Sequence, residues 1–173
     1  EVVFDMFFRR HPYNGGYAIF AGLEDLLRDL EELSFSEQDI AYLEEQGIFY
    51  DTFLSYLREF RFTGSLYAFR EGSIVHPGEP LIRVHAPLIE AQLIESLVLN
   101  VINFQSLIAT KAARVYTASR YGKIVEFGMR RAQGYDGALR ASKAAYLGGA
   151  AATSNTLAGK EFKIPVGGTM AHS

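Results

Sequence analysis

The spacing of apolar residues along the first third of the chain changes period, and each period predicts a different element. An aromatic-rich start over residues 1–10 predicts a strand, and residues 17–21 predict a second one after a turn rich in Pro, Asn and Gly. Leucines at intervals of three and four residues then predict a helix over 23–33. Ser36 with Asp39 forms a capping-box pattern that starts a second helix. This part of the chain therefore has α+β character.

The middle of the chain predicts a small β-rich unit followed by a long helix. A third helix is expected over 51–59, and strands over 60–69 and 81–84 flank turns that contain Gly and Pro. Pro87 favours a helix start, and the helix it begins runs to about residue 119. Its residues are apolar almost all round, so we expect it to be buried between two layers.

After Gly122 short strands and helices alternate. The predicted order is a strand over 123–127, a helix over 136–147, a strand over 148–151, a helix over 154–162 and a strand over 164–170. Such alternation with short connections implies a parallel sheet or barrel, and three units are too few for a closed eight-fold barrel. The predicted fold class is therefore α/β: a sandwich-like α+β domain over 1–118, then the first units of an irregular α/β barrel over 119–173.

Composition excludes several classes of function. The 173 residues carry a net charge of -3 and no basic run longer than a pair, so a nucleic-acid surface is not expected. The chain has no Cys, which excludes disulfides and thiolate metal sites and fits a cytoplasmic protein. Polar residues interrupt the most apolar stretch, 87–113, so we expect no membrane span. The chain has neither an initial Met nor a signal-peptide pattern, and we expect it to be a fragment.

Candidate chemistry gathers after the predicted strands of the last third, at 127–131, 152–155 and 167–172. Ligands of parallel α/β proteins bind at the carboxyl ends of strands, and small residues there let a ligand approach the backbone. Arg130 and Arg131 suggest an anion site, with a solvated loop as the alternative. His172 is a candidate nucleophile, general base or metal ligand, or a structural residue. Phe127 alternates with Val125 and is equally explained as core.

The same segments carry a resemblance to a known family. In collinear order over nearly the whole chain, the sequence resembles nicotinate phosphoribosyltransferases. The matching segments are 3–10 (VFDMFFRR), 60–64 (FRFTG) with 71–72 (EG), 100–113 (NVINFQSLIATKAA), 126–134 (EFGMRRAQG) with 136–137 (DG), 153–159 (TSNTLAG) and 168–173 (GTMAHS). The resemblance implies a two-domain, homodimeric enzyme of NAD biosynthesis that joins nicotinic acid to phosphoribosyl pyrophosphate. It also implies that magnesium assists the departure of pyrophosphate.

The resemblance also implies roles for particular residues. Phe127 would stack on the pyridine ring, as an aromatic platform suits a flat apolar ring, and Arg130 would contact the ring carboxylate. Arg131 would face the phosphate and ribose side. Ser154 and Asn155 would line the substrate pocket, with Asn155 near the carboxylate.

A further implied feature is the coupling of the reaction to ATP hydrolysis. His172 matches the family's phosphorylated histidine, supported by Thr169 and Ser173, and neutral imidazole is a competent nucleophile towards a terminal phosphate. The family's second stacking ring would precede Glu1, and the strands that hold ribose phosphate and pyrophosphate would follow Ser173. The alternatives are a nicotinamide or quinolinate phosphoribosyltransferase, a carrier module of the biotinyl type around 72–90, and a non-catalytic paralogue.

Overall fold

A computed structural model describes residues 1–168 of the chain. Six helices and seven strands are present in that range. The helices are α1 Leu23–Glu32, α2 Glu37–Glu45, α3 Asp51–Arg58, α4 Leu88–Ala118, α5 Gly134–Leu147 and α6 Thr156–Phe162. The strands are β1 Val2–Met6, β2 Ala18–Ile19, β3 Ser65–Ala68, β4 Ile74–Val75, β5 Ile82–Ala86, β6 Val125–Glu126 and β7 Ala152–Thr153. The mixed α/β class predicted from the sequence is confirmed.

The first strands form an antiparallel sheet in the order β1-β5-β3. In its central strand, Ile82, Val84 and Ala86 are buried, whereas Arg83 and His85 are exposed on the other face. This period of two is what a strand with one covered face requires. The buried face packs against α4 and, together with α1, forms the main hydrophobic core.

Local sequence signals set the helices before the sheet. The Ser36 hydroxyl accepts from the Asp39 amide while the Asp39 carboxylate accepts from the Ser36 amide, so the predicted capping box is present. Helices α2 and α3 pack on each other through a small cluster that includes Ile40, Leu54 and Leu57. The leucine spacing of α1 places Leu26 and Leu30 in the main core.

The long helix α4 follows Pro87 as predicted, but it is not buried all round. Its buried side carries residues such as Ile94, Val98 and Ile102, while Leu88 and Leu99 are about half exposed. The prediction of a helix buried between two layers is therefore wrong for residues 1–168. Length and hydropathy would also let α4 span a membrane. Buried core helices share these properties, and the polar residues on its buried face are bonded to other elements.

The last third contains the parallel pair β6–β7, with Val125 opposite Ala152. Val166 adds an isolated parallel bridge to Thr153, on the other side of β7 from β6. Helix α5 connects β6 to β7 and packs along α4. The expectation of strands that alternate with helices in a parallel sheet is thus confirmed here, whereas the division into domains 1–118 and 119–173 stays a prediction.

Two predicted strands are misplaced. The strand expected over 60–69 is confined to Ser65–Ala68. Gly64, just before it, lies so close to β5 that a Cβ there would be 2.6 Å from the Ala86 Cβ. The strand expected over 148–151 lies instead at Ala152–Thr153. Gly149 has φ 103°, a left-handed conformation suited to glycine. Together with Gly148 it turns the chain at the end of α5.

Candidate functional site

The carboxyl ends of β6 and β7 lie side by side and gather most of the predicted site residues. The two strands are parallel, with Glu126 opposite Thr153, and the Ser154 amide donates to the Glu126 carbonyl at 2.9 Å. Phe127, the next residue after β6, therefore lies level with Ser154. This is the edge where ligands bind in parallel α/β structures.

Phe127 and the two arginines lie on an exposed segment after β6. The Phe127 side chain is 47% exposed, which argues against the core interpretation in this part of the chain. A single 3-10 turn, Met129–Arg131, follows and leaves Arg130 and Arg131 exposed. None of the salt bridges found within residues 1–168 involves either arginine, so both guanidinium groups are open to an anionic ligand.

Ser154 and Asn155 form the turn between β7 and α6. Asn155 is 3% exposed and is the N-cap of α6, where its side-chain oxygen accepts from the Ala158 amide at 3.3 Å. That bond occupies the oxygen end of the side chain, so the amide nitrogen is the end that can serve a ligand. The same cap also fits a purely structural role for Asn155, in which the residue only begins α6.

The Glu126 carboxylate links three elements behind these loops. One oxygen accepts from the Gly128 amide. The other lies 2.6 Å from the Thr153 hydroxyl and 3.0 Å from the Ser142 hydroxyl of α5. Thr153 Oγ1 in turn accepts from the Asn155 amide at 3.0 Å. Both loops are therefore connected through one carboxylate.

The wall opposite the loop after β6 belongs to α4. A pocket of about 250 Å³ lies between Phe104 and Ile108 of that helix and the loop residues Glu126, Gly128 and Arg131. An aromatic and an aliphatic wall with a cation at the rim suits a small aromatic anion.

A buried charge cluster supports the site from behind. Asp25 of α1 is fully buried and accepts from Gln105 Nε2 at 2.8 Å and from Arg28 Nη2 at 2.7 Å. Arg140 and Lys143 of α5 lie 3.8 and 3.6 Å from the same carboxylate. The cluster therefore ties α1 and α4 to the helix that follows the Phe127 loop.

The surroundings of Asp25 shift its pKa downwards. Burial by itself raises the pKa of this carboxyl. The hydrogen bond from Gln105 and the charges of Lys143, Arg140 and Arg28 outweigh burial, and they hold the pKa below its ordinary value of 3.8. Asp25 is therefore a stable anion at neutral pH.

Three predicted residues lie outside the described range. Thr169, His172 and Ser173 all follow Gly168, the last residue that the structure describes. Within residues 1–168, no three His, Asp or Glu side chains come together as a metal site would require.

Sequence reasoning did not find the polar groups that support the site. Glu126 stands inside the EFGMRRAQG motif, and a lone carboxylate at the end of an apolar strand was its only signal. Asp25 looks like any acid between the leucines of an amphipathic helix. Ser142 and Thr153 bury hydroxyls whose partners come from other elements, which the sequence does not reveal.

Comparisons with known proteins agree with the resemblance. Residues 1–103 match the family model described as the nicotinate phosphoribosyltransferase N-terminal domain. The chain is 49% identical to a nicotinate phosphoribosyltransferase of Mycobacterium tuberculosis, over 99% of this chain and 37% of the relative. It is also 49% identical to one of Bacillus subtilis, over 100% of this chain and 35% of the relative.

A solved structure agrees at the level of fold. The crystal structure of human nicotinic acid phosphoribosyltransferase superposes with a TM-score of 0.91 at 40% identity, covering 98% of this chain and 35% of that one. The chain thus spans little more than a third of the length of the relatives it matches. On the family model and these identities, the chain belongs to the nicotinate phosphoribosyltransferase family.

Proposed function

We propose that the protein to which this chain belongs forms nicotinate mononucleotide from nicotinic acid and phosphoribosyl pyrophosphate. The observation that carries this proposal is the parallel pairing of β6 with β7, which brings Phe127, Arg130 and Arg131 to the same edge as Ser154 and Asn155. An exposed ring on the same loop as two exposed guanidinium groups matches a flat base that bears a carboxylate.

Each side chain at this edge has a proposed part in binding the base. Phe127 stacks on the pyridine ring and Arg130 pairs with its carboxylate, while Arg131 faces the phosphate and ribose. Asn155 donates its amide N–H to the carboxylate, since its oxygen caps α6. Ser154 contacts the substrate beside Asn155. The ring nitrogen then attacks the anomeric carbon of the ribose as pyrophosphate leaves.

The proposal includes coupling to ATP hydrolysis through phosphorylation of His172, with Thr169 beside it. A phosphorylated imidazole would place a dianion near the phosphates of the substrate and so alter their binding. Mg²⁺ neutralises pyrophosphate charge in such reactions, and we propose that it enters with phosphoribosyl pyrophosphate and ATP rather than on a protein site. A homodimer in the cytoplasm completes the proposal, on the family resemblance alone.

A base-discrimination assay on the complete protein tests this function. We expect wild-type kcat/KM for nicotinic acid to exceed that for nicotinamide, with a higher rate when ATP is present. R130A should lower kcat/KM for nicotinic acid at least about thirtyfold, because the bound base covers the exposed Arg130 and losing one partner of such a covered charge pair costs about 2–5 kcal/mol. R130K should also lose activity, since ammonium lacks the planar fork.

The variant N155D isolates the charge of the pocket. Asp is as good an N-cap as Asn, so α6 should keep its cap while the pocket gains a negative charge. Its preference should move from the acid towards the amide. Equal kcat/KM for acid and amide in the wild type would contradict nicotinic acid as the substrate, and a preference for quinolinate or no turnover would favour the alternative functions.

A further inference from the structure

The carboxylate of Glu126 stands where the two substrate loops and α5 meet. It accepts from the Gly128 amide in the loop after β6, and it lies within hydrogen-bond distance of the hydroxyls of Ser142 and Thr153. The Gly128 amide and the Thr153 hydroxyl donate to the two oxygens of this side chain, and the Ser142 hydroxyl is shared between it and the Ala138 carbonyl of α5, at 3.0 and 2.9 Å. A carboxylate is the side-chain group that can accept all of them at once.

The hydroxyls that meet Glu126 are themselves buried. Thr153 is 0% exposed and Ser142 is 1% exposed, so neither hydroxyl has water as a ready substitute partner. Thr153 Oγ1 also accepts from the Asn155 amide, which is the N-cap residue of α6. A continuous path of hydrogen bonds therefore runs from Gly128 through Glu126 and Thr153 to Asn155.

The conformation of Gly128 indicates that its missing side chain serves this contact. Its φ of -80° and ψ of -8° are ordinary for any residue, so backbone freedom does not require glycine. A Cβ at this position would lie 2.8 Å from Glu126 Oε1, so the end of the Glu126 side chain would have to move away from its present place. Glycine thus leaves room for the carboxylate to reach the amide.

We propose that Glu126 is a positioning residue for the base site, an inference that rests on the function proposed above. It sets the loop that carries Phe127 and Arg130 relative to the turn that carries Ser154 and Asn155. Enzyme sites lose as much as a hundredfold in rate from displacements of about 1 Å, so a fixed distance between these loops matters for binding the base.

Glu90 provides a matched control within the same chain. It is also buried, at 5% exposure, and it also holds a loop, accepting from the Thr63 amide at 2.7 Å and from the Thr63 hydroxyl at 2.9 Å. Thr63 lies before β3 and not at the edge formed by β6 and β7. Comparing variants of the two carboxylates therefore separates a general loss of stability from a loss of substrate binding at the site.

The test compares E126Q with E90Q in the complete protein. Glutamine keeps the size of the side chain but has one acceptor oxygen, so it cannot serve all the donors of Glu126. We expect KM for nicotinic acid to rise about tenfold in E126Q. In E90Q it should stay within about twofold, although both variants lose thermal stability. Partial unfolding would lower the apparent kcat and leave KM unchanged, which separates positioning from a structural role.

The variant G128A tests the same contact from the loop and leaves the carboxylate in place, so it gives an answer even if E126Q does not fold. It should raise KM for nicotinic acid by a similar factor, and the double variant should lose no more than the worse single one. Variants with wild-type KM, or losses that multiply, would overturn the positioning role alone. A wild-type protein that does not use nicotinic acid would overturn the proposed function and this inference with it.

Discussion

At the scale of single residues, Asp25 is the shared counter-ion of the cationic side chains between α1, α4 and α5. It is fully buried, and its negative charge faces Arg28, Arg140 and Lys143. Buried ions of one sign are expensive unless a counter-charge is present. Asp25 therefore supports the site indirectly, by keeping α5 in place behind the Phe127 loop.

Replacing Asp25 by Asn should destabilise the protein by about 3 kcal/mol or more, because three cations would lose their shared anion. Denaturant unfolding of wild type and D25N measures this change. E24Q is the control: Glu24 binds the same Lys143 at 2.6 Å, but its side chain is 74% exposed. Exposed pairs contribute about 0–1 kcal/mol, so E24Q should change little. Equal losses in the two variants would contradict this role.

Because the pKa of Asp25 is lowered, wild type and D25N should also differ in how their unfolding free energy depends on pH below neutrality. A carboxyl whose pKa is lower in the folded protein stabilises it above the unfolded value, and this contribution is lost as the pH falls through the lowered pKa. Wild-type stability should therefore fall below about pH 4 more steeply than that of D25N. Parallel pH profiles would show that Asp25 ionisation does not contribute.

At the scale of elements, the crossing of α4 with the end of α5 depends on a glycine. Gly148 follows α5 with φ -78°, which any residue can adopt, but a Cβ there would lie 2.2 Å from the Ala109 carbonyl oxygen of α4. The two backbones approach closely because no side chain separates them.

The variant G148A should therefore push α5 from α4 and cost about 1–3 kcal/mol of unfolding free energy, as overpacking typically does. G137A is the matched control inside α5, because a Cβ at Gly137 meets nothing within 4 Å. That change should stabilise the protein by about 0.5–1 kcal/mol, since Ala is a better helix former than Gly. Thermal or denaturant unfolding of both variants measures the difference, and stabilisation by G148A would contradict the close crossing.

At the scale of the whole molecule, α4 joins the antiparallel sheet to the parallel pair. One end of its buried side packs on β1 and β5, and its later residue Ala109 packs with Ile19 and Ala144. The Asp25 cluster crosses the same junction. The structure therefore predicts that α1, α4 and α5 open together rather than separately.

Native-state hydrogen exchange on the complete protein tests this cooperativity. Buried amides of α4 and α5 should become exchangeable with the same free energy and the same denaturant dependence. The α2–α3 pair has its own small cluster and should open at a lower free energy. An α5 that exchanges well before α4 would show that the junction is not a cooperative unit.

The sequence by itself determined the features that depend on neighbouring residues. Ser36 and Asp39 start α2, the leucine spacing defines α1, and the motifs that follow β6 and β7 are visible in the sequence alone. Caps, turns and helical periodicity act within a few residues, so they can be recognised locally. The family resemblance added the expected base site at Phe127, Arg130 and Asn155, whose roles stay predictions.

Only the tertiary structure decided the features that depend on contacts between distant segments. The apolar sequence of α4 does not predict which face of the helix is buried, because the buried face depends on the elements that pack against it. The close approach of Gly64 to Ala86 and the left-handed turn at Gly149 are visible only in the folded chain. Glu126 and Asp25 acquired their partners from other helices and strands. A hydrogen bond or a buried charge depends on distance in space, and separation along the chain does not determine that distance.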